Sequence, residues 1–211
     1  MQAVQDGTPA ALFVDSPGGS GKTFLYRALL ARIRADGHIA LAVASSRIAA
    51  LLLSGGHTAH SRFKIPIDVN KDSTCYVSHR SDLAQLLKRT RLIVWDEAPM
   101  MHRFAFEAVD RTLKDLMKAV DSVLESQPFG GKVIVFGGDF RQILPVVPRS
   151  GCEATVEAYF SRSYLWRYVH VMSLNTNMCL LTNANASDHA VQQDFARWLL
   201  QLDDSYLQIV D

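Results

Sequence analysis

"FVDSPGGSGKTFLY", residues 13–26, joins a short apolar run to a small-residue loop and then to a helix-forming sequence. A phosphate-binding loop takes glycine, four free positions, then Gly-Lys-Ser/Thr. Gly21, Lys22 and Thr23 satisfy that pattern, while Ser16 occupies the first glycine position. In such a loop the backbone N–H groups of residues 18–23 converge on phosphate oxygens at the positive end of a helix dipole. Pro17, Gly18, Gly19, Ser20, Gly21, Lys22 and Thr23 are therefore candidate nucleotide contacts. Lys22 would reach the β- and γ-phosphates and the Thr23 hydroxyl would coordinate Mg²⁺. A bare Gly-Lys-Thr also occurs in ordinary loops before helices, so the surrounding pattern has to decide.

Outward from this loop, short apolar runs alternate with helical periodicity. Residues 11–15, 39–44, 91–96, 132–138 and 168–174 read as strands, nearly continuous in apolar residues and so expected to be buried on both faces. Residues 22–37 read as a helix capped at Gly37, and 104–124 as a second helix with Phe106, Val109, Leu113, Leu116, Val120 and Leu124 on one stripe. Alternating strands and helices with buried strands imply an α/β fold, a parallel sheet between two helical layers of the P-loop NTPase kind. The stretch 64–82 is polar and weakly periodic and reads as a surface insertion. Residues 189–202 read as an amphipathic helix, whose apolar stripe would need a partner surface.

Composition narrows the class. The 211 residues are 48% hydrophobic and 20% charged, as in an ordinary globular domain and unlike a disordered or fibrous chain. A net charge of +1 gives no global polyanion signal, so a nucleic-acid contact has to be local. Cys75, Cys152 and Cys179 are dispersed and outside any metal-site spacing, which fits a reducing compartment. No apolar run is long enough to span a bilayer and the amino end lacks a signal-peptide pattern, so a soluble intracellular domain without a membrane partner is expected.

Two further strand ends carry chemistry. LIVWDEAPM (92–100) ends a buried strand in two carboxylates, Asp96 suited to hold Mg²⁺ through water and Glu97 to polarise an attacking water. A helix N-cap explains one such acid but not both. KVIVFGGDFRQILPVV (132–147) ends another strand in Gly-Gly-Asp, with Arg141 and Gln142 beyond it, and a Gln142 amide can bond the γ-phosphate or the water. Three such strand ends at one sheet edge define an ATP site, with Lys22, Glu97 and Gln142 as its catalytic candidates.

PGGSGKTFLY, ASSRIAALLL, HTAHSRFKIP, WDEAPM, PFGG and GGDFRQILPV together resemble the successive motifs of the petite-integration-frequency (PIF-type) helicases, from about residue 10 to the end. The resemblance implies a RecA-like first motor domain over 1–178, with 179–211 leading toward a second motor lobe. It further implies ATP with Mg²⁺, single-stranded DNA as a 5′-to-3′ track, and roles in DNA repair, recombination and telomere maintenance. A nuclear location follows from it, with the mitochondrion as alternative. It also assigns the loop at Ser45 and Ser46, and the segment with His60, Ser61 and Phe63, to the strand-binding face. Hydroxyls and loop amides grip phosphates there, and an aromatic can stack a base. Taken alone, Phe63 reads equally well as a core residue and His60 as a surface one. The run 88–91 reads as a solvated helix end.

The chain departs from the family pattern at three places. Ser16 replaces a glycine, at a cost of about 1–2 kcal/mol if the position is left-handed and little otherwise. Arg47 replaces a glycine in the strand-binding loop. Cys179 stands where the family has an arginine that reaches the γ-phosphate, and a thiol offers neither the charge nor the donor fork of a guanidinium. Impaired hydrolysis is therefore expected and, because translocation requires two motor lobes closing on ATP, no unwinding by this stretch alone. A non-catalytic nucleotide- or DNA-binding remnant of a helicase is the alternative.

Overall fold

In the computed structural model, residues 4, 8–142, 144–148 and 151–178 are described. Among these residues six parallel strands form one sheet: β1 (Ala10–Asp15), β2 (Ile39–Ala44), β3 (His57–Thr58), β4 (Thr90–Asp96), β5 (Val133–Gly138) and β6 (Val169–Ser173). Their spatial order is β3-β2-β4-β5-β1-β6. The apolar runs of β2, β4 and β5 sit inside the sheet, where both faces are covered, as their composition requires. β6 differs from expectation. It is an edge strand whose residues are mostly exposed, Val171 and Met172 included, because among the described residues it pairs only with β1.

Helix α1 (Lys22–Ala35) covers one face, burying Tyr26, Leu30 and Ile33 against Val14, Ala42, Val94 and Val135. It ends in Asp36 and a left-handed Gly37, close to the expected stop. On the same side the short helix α2 (Arg47–Leu51) follows β2, tied to α1 where Arg27 Nε and Nη2 donate to the Leu52 carbonyl. The other face holds α3 (Ala59–Phe63), α4 (Asp82–Arg89) and α5 (Arg103–Lys118). A cluster of rings fills that side, with centroids 4.8 Å apart for Trp95–Phe106, 4.2 Å for Phe106–Phe160 and 4.7 Å for Phe136–Phe160. A further short helix, α6 (Cys152–Glu157), precedes β6.

The second long helix stops earlier than its periodicity suggests. After Lys118 the chain turns, and Val120 is 60% exposed instead of lying on the buried stripe. Asp121 then caps a separate 3-10 turn over Ser122–Ser126 by accepting from Val123 N–H. The basic run 88–91 is likewise divided: Lys88 and Arg89 end α4, whereas Thr90 is buried and begins β4.

The stretch 64–82 is strapped to the domain, not merely added to its surface. Ile65 and Cys75 are buried, and Cys75 N–H donates to Thr112 Oγ1 at 2.9 Å. Arg111 on α5 holds the Ser73 carbonyl with Nε and Nη2. PFGG serves the same helix. Phe129 is buried in a left-handed conformation, φ 53°, and its N–H donates to the fully buried Asp110 Oδ1 at 2.6 Å. Asp110 also accepts from Tyr164 Oη at 2.7 Å and pairs with Lys114 at 2.8 Å. At Gly130 a β-carbon would lie 2.6 Å from the Leu113 carbonyl oxygen, so no larger residue fits against α5.

Candidate functional site

Strand register gathers the candidate residues. Ala44 pairs with Asp96, Trp95 with Phe136, and Asp15 with Gly138. The loops after β1, β2, β4 and β5 therefore leave the same carboxyl edge at the same height. At such an edge of a parallel sheet, ligands bind in the crevice outside the strand ends. Pro17, Gly18, Gly19, Ser20, Gly21, Lys22, Thr23, Asp96, Glu97 and Gln142 line one open cleft of about 510 Å³ there, joined by Leu52 and Met178.

The loop has the backbone of an anion cradle. Gly19 and Gly21 take positive φ, 79° and 91°, and Gly21 opens α1. Ser16 does not have a positive φ, so serine at this position carries no left-handed strain. It is instead buried, its N–H donating to the Gly138 carbonyl at 3.2 Å. Ser20 Oγ lies 2.8 Å from Ser16 Oγ and 2.7 Å from the Pro17 carbonyl. The Lys22 ammonium is folded back onto the same loop, donating to the Ser16 and Pro17 carbonyls. A side chain at Gly18 would project toward Gln142, whose Nε2 lies 4.0 Å from the site of a β-carbon.

Opposite the loop, Asp96 is buried and Oδ1 accepts the Glu97 N–H at 2.9 Å. Burial pushes the Asp96 carboxyl up to about 6; the Glu97 N–H and Lys22 oppose this, and the Glu97 charge adds to it. Glu97 itself is left-handed, φ 53° and ψ 39°, a conformation that costs a non-glycine residue about 1–2 kcal/mol. Strain of this kind is typical of functional sites and here turns Glu97 out of the strand line. Thr23 and Asp96 supply hard oxygen donors of the kind Mg²⁺ takes.

Asp139, Met178 and Tyr26 also belong to the site, though the motif reading gave them no role. Asp139 is buried, accepts from Gln142 Nε2 at 3.1 Å and from Arg141 N–H at 3.0 Å, and so aims the glutamine. Its i, i+3 spacing to Gln142 is the signal that marks it. Met178 N–H donates to the Gly19 carbonyl at 2.9 Å, bringing the 175–178 segment onto the loop. Cys179 and the helix expected over 189–202 lie outside the described residues, as does the whole segment 179–211. Tyr26, one turn into α1, lies fully buried beneath the cleft.

The expected strand-binding residues divide. Ser45 N–H donates to the Asp96 carbonyl at 3.0 Å, and Ser45 Oγ accepts from Trp95 Nε1 at 3.3 Å. Ser46 caps α2, accepting from Ala49 N–H at 3.1 Å. His60 and Ser61 are exposed on α3. Phe63 is not available to stack a base. It is 1% exposed and stacks on Trp95 with centroids 5.4 Å apart and planes at 26°. The α3 turn directs it inward, leaving its hydroxyl- and imidazole-bearing neighbours outside.

A RecA-like P-loop NTPase fold with a cleft assembled at the carboxyl edge of its sheet is the class that architecture and site define. The family model described as PIF1-like helicase matches residues 1–210, and the chain belongs to that family. It is 30% identical over 148 residues to the ATP-dependent DNA helicase PIF4 of Trypanosoma brucei brucei, covering 68% of this chain and 17% of that protein. It is 29% identical over 156 residues to the ATP-dependent DNA helicase Pif1 of a Psychrobacter species, covering 73% of this chain and 23% of that protein. A crystal structure of Pif1 helicase from Bacteroides in complex with ADP-AlF3 and ssDNA superposes with a TM-score of 0.67 at 26% identity, over 83% of this chain and 40% of that one. The chain thus spans less than half the length of these relatives.

Proposed function

We propose that the chain is the nucleotide-binding motor lobe of an ATP-dependent DNA helicase, holding Mg-ATP in the loop–Asp96–Gln142 cleft and single-stranded DNA on the neighbouring face. The observation that carries this reading is the convergence of Lys22, Thr23, Asp96, Glu97 and Gln142 on one cleft, with a lysine that donates to the loop carbonyls of Ser16 and Pro17. Phosphate oxygens would replace those carbonyls as acceptors for Lys22. Mg²⁺, when bound, would neutralise charge on the β- and γ-phosphate oxygens, and Thr23 and Asp96 are the residues to hold it. Glu97 would accept a hydrogen bond from the attacking water, and Gln142, aimed by Asp139, would bond the γ-phosphate.

The similar Bacteroides Pif1 has been crystallised bound to ssDNA. Here the exposed His60 and Ser61, with the loop at Ser45 and Ser46, are the surface for phosphate contacts. Translocation requires two lobes closing on the nucleotide, so unwinding belongs to an assembly with a second lobe. The 5′-to-3′ polarity, the nuclear setting and the roles in repair, recombination and telomere maintenance rest on the family resemblance.

The test is ATP binding and hydrolysis by the chain with and without single-stranded DNA, beside Lys22→Ala and Cys179→Arg. Nucleotide binding lost in Lys22→Ala, with DNA-stimulated turnover weak in wild type and raised in Cys179→Arg, is expected. A wild-type chain that binds no nucleotide at saturating Mg²⁺ would sink the reading.

A further inference from the structure

Tyr26 carries a polar group that the site as described does not use. Its ring is fully buried between α1 and the sheet, and its hydroxyl has no hydrogen-bond partner among the described residues. A buried hydroxyl left in that state is costly, and such groups call for an explanation in function. Two features show where it points. A β-carbon on Gly137 would lie 1.5 Å from the Tyr26 oxygen, so the hydroxyl sits in the space a side chain of β5 would occupy. The register of β4 with β5 runs up to Trp95–Phe136, so Asp96 and Gly137 are the residues that directly follow the last paired positions of the two adjacent strands. The hydroxyl therefore sits at the end of β5 on the side of Asp96, near enough for the Asp96 charge to act on it, though not hydrogen-bonded to it.

The two groups are complementary. Asp96 has one side-chain oxygen engaged, Oδ1 with the Glu97 N–H, and no further hydrogen bond to that carboxylate among the described residues. Burial, with Asp96 and Glu97 close by, raises the Tyr26 pKa, so the hydroxyl remains a proton donor. Lys22 and Tyr26 are one helical turn apart on α1, so one helix presents a cation to the phosphates and a neutral donor to the carboxylate.

We propose that Tyr26 is a positioning residue for Asp96: when the site is loaded, its hydroxyl donates to the carboxylate, directly or through one water, and fixes the orientation in which Asp96 faces Mg²⁺. This rests on the nucleotide-site reading above. Groups that orient a metal-binding carboxylate from behind typically change metal affinity about 10- to 100-fold when removed. Gly137 is part of the same device, since any side chain there would displace the ring.

The experiment is a Mg²⁺ titration of the binding of a non-hydrolysable ATP analogue to wild type and Tyr26→Phe, with thermal melting of both free proteins and analogue binding in EDTA. Phenylalanine keeps the ring and deletes only the orphan hydroxyl. The expected result is a free-protein melting temperature equal to or above wild type, unchanged analogue affinity in EDTA, and a Mg²⁺ half-saturation raised about 10-fold. Coincident Mg²⁺ titrations, or an equal loss with and without Mg²⁺, would overturn the role of Tyr26 while leaving the nucleotide site standing. A wild type that fails to bind the analogue would overturn both.

Discussion

Ser16 and Ser20 close the phosphate loop on itself, their hydroxyl oxygens 2.8 Å apart with Ser16 buried and free of left-handed strain. Replacing Ser16 by the glycine usual in this family should therefore not relieve anything. Glycine adds backbone entropy to the unfolded chain and removes one buried hydrogen bond, together about 1–2 kcal/mol. We expect Ser16→Gly to lower the melting temperature while changing analogue affinity less than about three-fold, the latter following from the ordinary φ at this position. A stabilised variant would show that the serine is strained after all.

Asp96 links stability to pH. Its carboxyl is pushed from 3.8 to about 6 by burial, so ionisation is harder in the folded lobe than in the unfolded chain. The group's contribution to stability is thus fully present below about pH 4 and is lost as pH rises through about 6. Asp96→Asn should stabilise the free protein by about 1–3 kcal/mol at pH 8 and have little effect at pH 4. Denaturant melts at the two pH values check this, and equal effects at both would reject it. The same variant should lose Mg²⁺-dependent nucleotide binding.

Phe63 separates a core role from a base-stacking one. Its ring is enclosed by Trp95 and neighbours, so Phe63→Ala should cost about 3–5 kcal/mol. Phe63→Leu, which keeps most of the volume, should leave single-stranded DNA affinity within two-fold, roughly the limit below which no stacking contact is implied. A stable Phe63→Ala protein with selectively weakened DNA binding would reverse this assignment.

Thr112 anchors the strap. Its Oγ1 accepts from Cys75 N–H at 2.9 Å and donates to the Ala108 carbonyl at 2.8 Å. Thr112→Val keeps the shape and leaves a buried N–H unpaired, at a cost of about 1–3 kcal/mol. Limited proteolysis should then cut within 64–81 faster than in wild type. Unchanged cleavage would mean that Arg111, through Ser73, and the buried Ile65 and Cys75 hold the segment without Thr112.

Much of this protein is legible along the chain because it rests on local pattern. The short continuous apolar runs of β2 and β4 read as strands covered on both faces, and Gly21-Lys22-Thr23 between such a strand and a helix reads as an anion loop. Asp96 and Glu97 stand out because paired acids at the end of such a strand do not fit a core. Other features depend on residues far apart in sequence. Whether Ser16 is strained depends on its φ, set by the Gly138 and Ser20 contacts. Whether Phe63 faces solvent or Trp95 depends on how α3 docks, and a lone aromatic in a polar segment carries no periodicity to reveal that. The exposure of β6 follows from the strand order and not from its own apolar residues. The meeting of Tyr26 with Gly137 beside Asp96 exists only once β4 and β5 are in register, since neither residue alone marks a site. The sequence by itself thus determined the strands, the loop and the acids, through periodicity and spacing. Tertiary structure alone decided which side chains face the cleft, which fill the core and which support the others, because those outcomes are set by packing between distant segments.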